Sequence, residues 1–415
     1  MSNKIDKTLI SINLHIYPSP ITHESRMLKV TKSIADAQLV DKVYLIGMWK
    51  DGLAEHEQID GRRQIWRVRP LIGSQRSSLF IKTLRYIEWQ LRILWYFRSS
   101  SVKYVNCHSL PVLSIGVLFK LFLKSALVYD THELETESPE AGGIKRVFFK
   151  LVEKSLIRFA DAIITVNDSI MNWYKNEYGL QNIVAVRNIP YQRHEEEISK
   201  SNILKTSFNI TDDEILFIHQ GELSASRGID ILLDTFSKVD SKKHLLFMGF
   251  GDWVERIKQY EQAYDNIHLL DAVKPSEVHR YTVGADVGFC LLENIGLNAY
   301  LCLPNKLYEY IMSGVPVIVS DFPEMSRVID EADCGWKIAV SKGALYSLVT
   351  CISKDEIAAK RNKAMQYRKM IGWQNEEKAL LNVYRHMLAC KKGIDSRENK
   401  LSKIVNNLGT PRDRN

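Results

Sequence analysis

The chain has 415 residues, enough for about two domains, and its 45% hydrophobic and 25% charged content is that of a globular protein. The net charge of +7 is modestly basic, and no nucleic-acid-binding motif accompanies it, so nucleic acid is not an expected partner. Six cysteines (Cys107, Cys290, Cys302, Cys334, Cys351, Cys390) are scattered without a CxxC pair or Cys/His ligand spacing. That pattern argues against a disulfide framework or a zinc site and predicts free thiols in a reducing, cytoplasmic compartment.

The first residues carry no signal-peptide pattern, and no apolar run approaches the roughly 18 residues of a membrane span. Thr8 to Ile16 reads as a first buried strand. A Pro-containing loop follows, and Ser25 is placed to cap a helix through Met27, Leu28, Val30 and Ile34. Val43–Ile46 and Gln64–Arg69 predict the next two strands. A long amphipathic helix spans residues 77–100. Tyr104–His108 reads as a strand, 110–123 as a helix, Ala126–Tyr129 as a strand and Ile144–Phe159 as a helix. Asp161–Val166 and Ile183–Arg187 predict the last strands of this half. Strands alternating with helices specify a parallel α/β sheet, in which ligands bind beyond the strand C-termini. The polar residues at those ends are His15, His108 and the group Asp130, His132 and Glu133 in YDTHELETESP. A His and two carboxylates there can hold a sugar hydroxyl or act as acid and base. The plain alternative is a polar connection capping the next helix.

Between Arg76 and Lys124 the charged residues are basic except Glu88, and Trp89, Trp95, Tyr96 and Phe97 are interleaved with them. Lys145, Arg146, Lys150, Lys154 and Arg158 continue the pattern. Such helices suit peripheral contact with an anionic membrane; the alternative is a solvated basic face with its aromatics in the core.

Residues 194–207 are polar and read as an interdomain linker. Glu214–His219 begins a second sheet and leads into QGELSASRGIDILLDTF. Here a loop with Gly221 ends at Arg227-Gly228 where a helix starts, an arrangement suited to phosphate or, equally, a plain strand–helix turn with a surface Arg. Leu245–Met248 is a strand followed by Gly249-Phe250-Gly251. Ile267–Leu270 and Val287–Leu291 are further strands. Asp271–Pro275 is a turn and Ser276–Val283 a helix. The stretch LPNKLYEYIMSGVPVIVSDF reads as turn, helix, Gly break and buried strand. Leu307, Tyr308, Ile311 and Met312 form its apolar face, and Asn305, Lys306 and Glu309 lie off that face near the helix start. A cation, an amide and a carboxylate there suit a ligand with phosphate and hydroxyls; the alternative is an ordinary surface helix with Lys and Glu at i, i+3. A helix over 323–329, a strand CGWKI, helix from Ser341 and an amphipathic last helix complete the half.

The segment YEYIMSGVPVIVSDFPE resembles the donor-binding helix of retaining glycosyltransferases of family 4, of bacterial surface-polysaccharide type. The strand-Asp-x-His-Glu string after 126 and the Asn-x-Pro after 187 are similar to the same family. The resemblance implies the GT-B fold, two Rossmann-like doubly wound α/β domains facing across a cleft. It implies an acceptor domain over 1–193 and a nucleotide-sugar domain over 208–372. A helix over 373–390 would cross back, and 391–415 would be a loose tail. It implies retaining, metal-independent transfer of a hexosyl-type sugar from a nucleotide-diphosphate sugar, the co-substrate, with no cofactor. The acceptor would be a glycan or lipid-linked saccharide in O-antigen or capsule assembly, at the inner face of the plasma membrane.

Residue by residue, the resemblance assigns Arg227 and Lys306 to the departing diphosphate, Glu309 to the ribose and Val273 to the base. Gly221, Gly249, Gly251 and Asn305 join the donor side, and His132, with Asp130, Glu133 and His108, the acceptor side. The family's second cation, just after the first Gly, is Glu222 here, so Lys306 or Arg187 takes its place. Its Glu eight positions before Glu309 is Leu301, so Glu293 or Asn298 stands for it. Catalysis would thus rest on His132, Glu293, Arg227 and Lys306. Two alternatives are a GT-B nucleotide-sugar epimerase and a non-catalytic nucleotide-binding subunit of a polysaccharide assembly complex.

Overall fold

A computed structural model describes residues 10–72, 78–138, 142–192 and 203–391. Arg76, linker residues 194–202 and the tail beyond 391 lie outside them. The described chain divides into two compact units. Unit 1 holds residues up to 136, 142–187 and 376–391; unit 2 holds 137–138 and 188–375.

Unit 1 contains strands β1 (Ser11–Ile16), β2 (Lys42–Met48), β3 (His56–Gln58), β4 (Arg63–Val68), β5 (Ser101–Cys107), β6 (Ala126–Asp130), β7 (Ala162–Thr165) and β8 (Ile183–Ala185). They form one sheet in the order β3-β4-β2-β1-β5-β6-β7-β8. All pairings are parallel except β3 with β4. The order reverses between β1 and β5, which makes the crevice beyond their C-termini the expected ligand site of the sheet. β1, β5 and β6 are buried nearly throughout because helices cover both faces. β3 is fully exposed and polar. At the sheet edge it adds polar side-chain contacts to its backbone pairing, His56 stacking on Trp66 and Glu57 accepting from Arg67 at 2.8 Å, so no apolar pattern announces it.

The helices of unit 1 are α1 (Ser25–Asp36), α2 (Leu79–Phe97), α3 (Leu113–Leu123), α4 (Ile144–Ile157) and α5 (Asp168–Tyr178). Ser25 is the first helical residue and not the cap; the cap position is Glu24 and no side chain caps α1. The first turn of the expected 110–123 helix is 3-10, over Leu110–Val112. α3 packs against both α2 and α4.

Unit 2 contains α6 (Ile203–Ser207), β9 (Ile215–Glu222), α7 (Ile229–Phe236), β10 (Lys243–Phe250), α8 (Val254–Ala263), β11 (Ile267–Asp271), α9 (Val278–Thr282) and β12 (Val287–Cys290). It continues with α10 (Leu297–Leu301), α11 (Asn305–Met312), β13 (Val317–Ser320), α12 (Pro323–Ala332), β14 (Gly335–Ile338), α13 (Lys342–Cys351) and α14 (Lys354–Tyr367). The sheet order is β11-β10-β9-β12-β13-β14, parallel throughout. Its switch point lies between β9 and β12. Two elements depart from expectation. The last five residues of the expected linker are α6, whose Leu204 is buried and whose Lys205 Nζ lies 2.9 Å from Asp286 Oδ2. The long loop after β12 contains the short helix α10.

The last helix, α15 (Trp373–Lys391), belongs to unit 1 from Glu376 onward. There the Tyr384 hydroxyl donates to Asn106 Oδ1 at 2.5 Å, and the Tyr384 ring meets Tyr104 edge-on.

Candidate functional site

Unit 2 gathers its polar residues at the β9/β12 switch point. β9 runs two residues further than its apolar run, so Gly221 and Glu222 are strand residues paired with Gly249 and Phe250 of β10. Glycine is required by contact here. A Cβ on Gly249 would lie 1.8 Å from the Gly221 carbonyl oxygen, and one on Gly251 would lie 2.3 Å from that of Leu223. The glycines let the two strand ends close on each other.

Beside them α11 starts after Pro304 with no side-chain cap at the cap position, the Leu307 N–H donating to Pro304 O at 3.1 Å. Its buried residues Leu307, Tyr308, Tyr310, Ile311 and Met312 seat it on the core. Gly314, at φ +68°, turns the chain into β13. That seating leaves Lys306 and Glu309 pointing at the ends of β9. Glu309 Oε2 accepts from Gln220 Nε2 at 2.8 Å, and Gln220 Oε1 accepts from the Thr282 hydroxyl at 2.7 Å. Lys306 Nζ lies 3.4 Å from His219 Nε2. Burial pushes the Lys306 ammonium down to about 8, with Arg227 adding to the shift and Cys290 and Glu309 opposing it. Burial, Lys306 and Arg227 together hold His219 well below its usual range, so its ring is neutral. Its Nδ1 is buried with no hydrogen-bond partner among the described residues. Arg227 pairs with Glu222 at 2.6 Å, both side chains being about one-third exposed or more. An exposed pair of this kind is worth ~0–1 kcal/mol, less than the ~1.5–3 kcal/mol of a charge-assisted bond, so an incoming phosphate can displace the carboxylate. The backbone N–H of Glu293 donates to Ser226 O at 2.9 Å, which ties the end of β12 to the turn carrying Arg227.

Unit 1 gathers a different set at the β1/β5 switch point. His15 Nδ1 lies 2.8 Å from His108 Nε2, and His108 Nδ1 lies 3.0 Å from His132 Nε2. Asp130 Oδ2 is 3.3 Å from His108 Nδ1. Arg26, buried on α1, grips Asp130 through Nη2 at 2.8 Å and Nε at 3.1 Å, and its Nη1 donates to Val186 O at 2.6 Å. Burial works against the Asp130 charge, but Arg26 and His108 outweigh it and hold the carboxyl well below its usual range. Burial lowers His15, and His132 falls to about 3, mainly through burial, so both rings are neutral. Of the row, His132 alone keeps a sizeable exposed fraction, 23% of its side chain. Its ring stands 5.7 Å from that of Tyr17. His108, Asp130 and His132 offer atoms at the mutual spacing of a cation site, but the Arg26 guanidinium on Asp130 already supplies the positive charge such an ion would bring.

Residues 214–355 match the family model of group 1 glycosyl transferases. The matched segment covers the whole unit 2 switch point and agrees with the resemblance at that level. A curated relative is the chitobiosyldiphosphodolichol beta-mannosyltransferase of Candida glabrata, 22% identical over 341 residues, covering 74% of this chain and 75% of the relative. Among solved structures, sucrose-phosphate synthase from Thermosynechococcus elongatus aligns with a TM-score of 0.75 at 12% identity, over 92% of this chain and 100% of the other. WaaG, a glycosyltransferase involved in lipopolysaccharide biosynthesis, aligns with a TM-score of 0.63 at 13% identity, over 90% and 99%. At these identities the structural likeness is one of fold: two Rossmann-like parallel sheets in one chain, as in GT-B glycosyltransferases.

Of the expected donor residues, Gly221, Gly249, Gly251, Lys306 and Glu309 converge on the β9 end, and the Ser226 bond brings the Arg227 turn and Glu293 together. Asn305 neighbours them, its Oδ1 accepting from Asn188 Nδ2 at 2.8 Å. Asn298 lies on α10, and Val273, in the turn after β11, packs its side chain against the core. Arg187 is no spare cation. It lies in unit 1, clamped to Glu376 at 2.6 Å. The acceptor-side expectation needs correcting too. Asp130 and His108 are buried and engaged by Arg26 and His15, so they support His132 from behind and do not face a ligand. His219, Gln220 and Arg26 were not singled out by sequence. His219 and Gln220 sit inside an apolar strand run, and their adjacency to Gly221 is the signal that points to them. Arg26 lies 104 positions from its partner, and nothing local reveals it.

Proposed function

We propose that this chain is a glycosyltransferase in which unit 2 binds a nucleoside-diphosphate sugar and unit 1 binds the hydroxyl of a lipid-linked saccharide. The observation that carries the reading is the half-buried Lys306 at the start of α11, beside a second cation and the Gly221–Gly249 strand ends, within the segment that matches group 1 glycosyl transferases. Two cations, Lys306 and Arg227, stand there against Glu309, held by an amide, and Glu222, loosely paired at the rim, so a diphosphate can take the place of Glu222 on Arg227. Metal-independent departure of the diphosphate follows, with Lys306, Arg227 and the α11 N–H groups taking up the charge that develops. Glu309, held by Gln220, accepts from the ribose hydroxyls.

A lipid-linked acceptor is supported by the name of the Candida glabrata relative, and a surface-polysaccharide setting by the resemblance and by WaaG. Retention of configuration follows from the resemblance to family 4. The relative's name specifies a beta linkage, which an α-linked donor yields only by inversion. The anomer of the product decides between the two.

Membrane contact is supported by the helix layer α2–α3–α4. Phe80, Leu84, Ile87, Leu91 and Trp95 of α2, Leu121 and Phe122 of α3, and Ile144, Val147, Phe148 and Leu151 of α4 are all exposed, Ile144 by 89%. Lys82, Arg98, Lys145, Arg146 and Lys154 are exposed among them. An apolar, basic surface of this kind suits the cytoplasmic face of an anionic bilayer. No helix among the described residues is long and apolar enough to cross a membrane. Binding to anionic vesicles that weakens with salt and is lost in Phe148→Glu/Leu151→Glu is the expected result; equal indifference to anionic and neutral vesicles would remove the membrane from the reading.

The deciding experiment is a thermal-shift panel of UDP, GDP, ADP and CMP. A ligand at about 100 times its dissociation constant adds about 2.7 kcal/mol. A shift with one diphosphate nucleotide that disappears in Lys306→Met supports the site; no shift with any of them overturns it.

A further inference from the structure

One partly buried carboxylate at the unit 1 switch point remains without a role in the reading so far. Glu135 lies in the short 3-10 turn after β6 (Glu135–Glu137), three residues past His132. Its Oε1 accepts from the backbone N–H of Leu110 at 3.0 Å. That residue opens the turn following β5, so the carboxylate bridges the C-terminal ends of two neighbouring strands, where a doubly wound sheet presents its ligand. Among the described residues Oε2 has no hydrogen-bond partner. Tyr17, at the end of β1, and Tyr86, on α2, flank it closely enough to sense its charge. The Tyr86 hydroxyl is itself buried without a partner among the described residues. An open carboxylate oxygen at a strand end, with an unpaired hydroxyl on α2 within its field, is completed by a hydroxyl-bearing ligand.

We propose that Glu135 is the general base that takes the proton from the acceptor hydroxyl. The assignment rests on the glycosyltransferase reading above, in its inverting form. Glu135 Oε2 accepts the hydroxyl proton while that oxygen forms its bond to the anomeric carbon. The bond from that carbon to the diphosphate breaks, and its electron pair leaves with the diphosphate. The carboxylic acid then loses its proton to water. Attack and departure are on opposite faces, so the product anomer is inverted.

The other groups at this edge fit the role less well. Asp130 is buried and held by Arg26. His132 turns its Nε2 inward to His108, and at about 3 it is too weak a base. Glu135 faces Tyr17, Tyr86 and Tyr129, and the carboxylates Glu133 and Glu153. Burial, with Glu153 and Glu133 adding and the Leu110 N–H opposing, raises it to about 8, close to the pH at which a general base works best. A folded-state value above the unfolded one means the folded chain binds the extra proton. Stability therefore falls as pH rises from about 4.5 to about 8, and removing this carboxylate is stabilising at pH 8.

The test uses the full chain with GDP-mannose and UDP-glucose as donors and a polyprenyl-diphosphate-linked chitobiose as acceptor. At saturating donor, kcat is expected to rise about tenfold per pH unit up to about 7.5 and to level above 8. Glu135→Gln keeps the oxygen that Leu110 bonds. It is expected to lose at least about a hundredfold in kcat together with the pH limb, and to keep nucleoside-diphosphate affinity within twofold. Its Tm at pH 8 should equal or exceed that of the parent, which distinguishes lost chemistry from lost folding. A Glu135→Gln enzyme that keeps its pH limb or a third of its kcat overturns the assignment, as does a retained product anomer or a limb that vanishes in His132→Gln instead. Those results leave the glycosyltransferase reading standing. Nucleotide binding without transfer from either donor removes both.

Discussion

The two switch points differ in how their charge is balanced. In unit 1 the buried anion Asp130 has its own cation, Arg26, and the His15 and His132 rings of the row are neutral. That site is electrically closed and suits a neutral hydroxyl. In unit 2 a half-buried lysine and a half-exposed arginine face one another's field, with Glu309 held by an amide and Glu222 loosely paired at the rim. That site is electrically open and suits an anion. The same Rossmann-like architecture thus offers two kinds of ligand through the placement of a few buried charges.

The comparison breaks first at Arg26. Arg26→Met leaves Asp130 buried without its cation and is expected to cost about 3–5 kcal/mol of stability. Adding Asp130→Asn should recover much of it. Urea denaturation of the single and double variants checks this, and a near-neutral single variant would show that unit 1 is not closed in the way described.

Lys306→Met is expected to weaken nucleoside-diphosphate binding by about 1.5–3 kcal/mol. Because the lysine is charged only below about 8, parental affinity should be flat below that pH and fall above it, while the variant stays flat. Calorimetry from pH 7 to 9.5 reads both. The charge opposes folding while buried and unpaired by ligand, so the variant should be at least as stable as the parent at pH 7. Glu309→Ala should weaken nucleoside diphosphates by a similar amount yet leave inorganic pyrophosphate unaffected, since its contact is to the ribose. Equal losses for both ligands would reassign Glu309 to the phosphates. The smallest effect is expected at Glu222→Gln, which frees Arg227 and should tighten binding by no more than about 1 kcal/mol; weaker binding would mean that Glu222 orients the arginine.

Much of the unit 2 site is legible because it is local. Asn305, Lys306 and Glu309 share one helix start, and the Pro304 and Gly314 boundaries are visible as residue types with fixed backbone preferences. The apolar face of α11 predicts which side chains are left to point outward. By contrast, YDTHELETESP displays four acidic residues and one histidine with nothing to rank them. Asp130, His132 and Glu133 stand out there as a group, but burial and Arg26 make Asp130 a support, while Glu135, unremarked in the string, bridges the ends of β5 and β6 through the Leu110 N–H.

The sequence by itself determined that the chain builds two parallel sheets wrapped by helices, and it located the turns at their strand ends. Hydrophobic periodicity and Gly/Pro punctuation are short-range signals, and they survive without knowledge of the fold. Only the tertiary structure decided the charge state of each site. Arg26 reaches Asp130 across 104 residues, and His219 meets Lys306 across 87. The shift of each group depends on how much water and which charges the packed neighbours leave around it. Desolvation and Coulomb terms act through space, and no residue spacing along the chain encodes them.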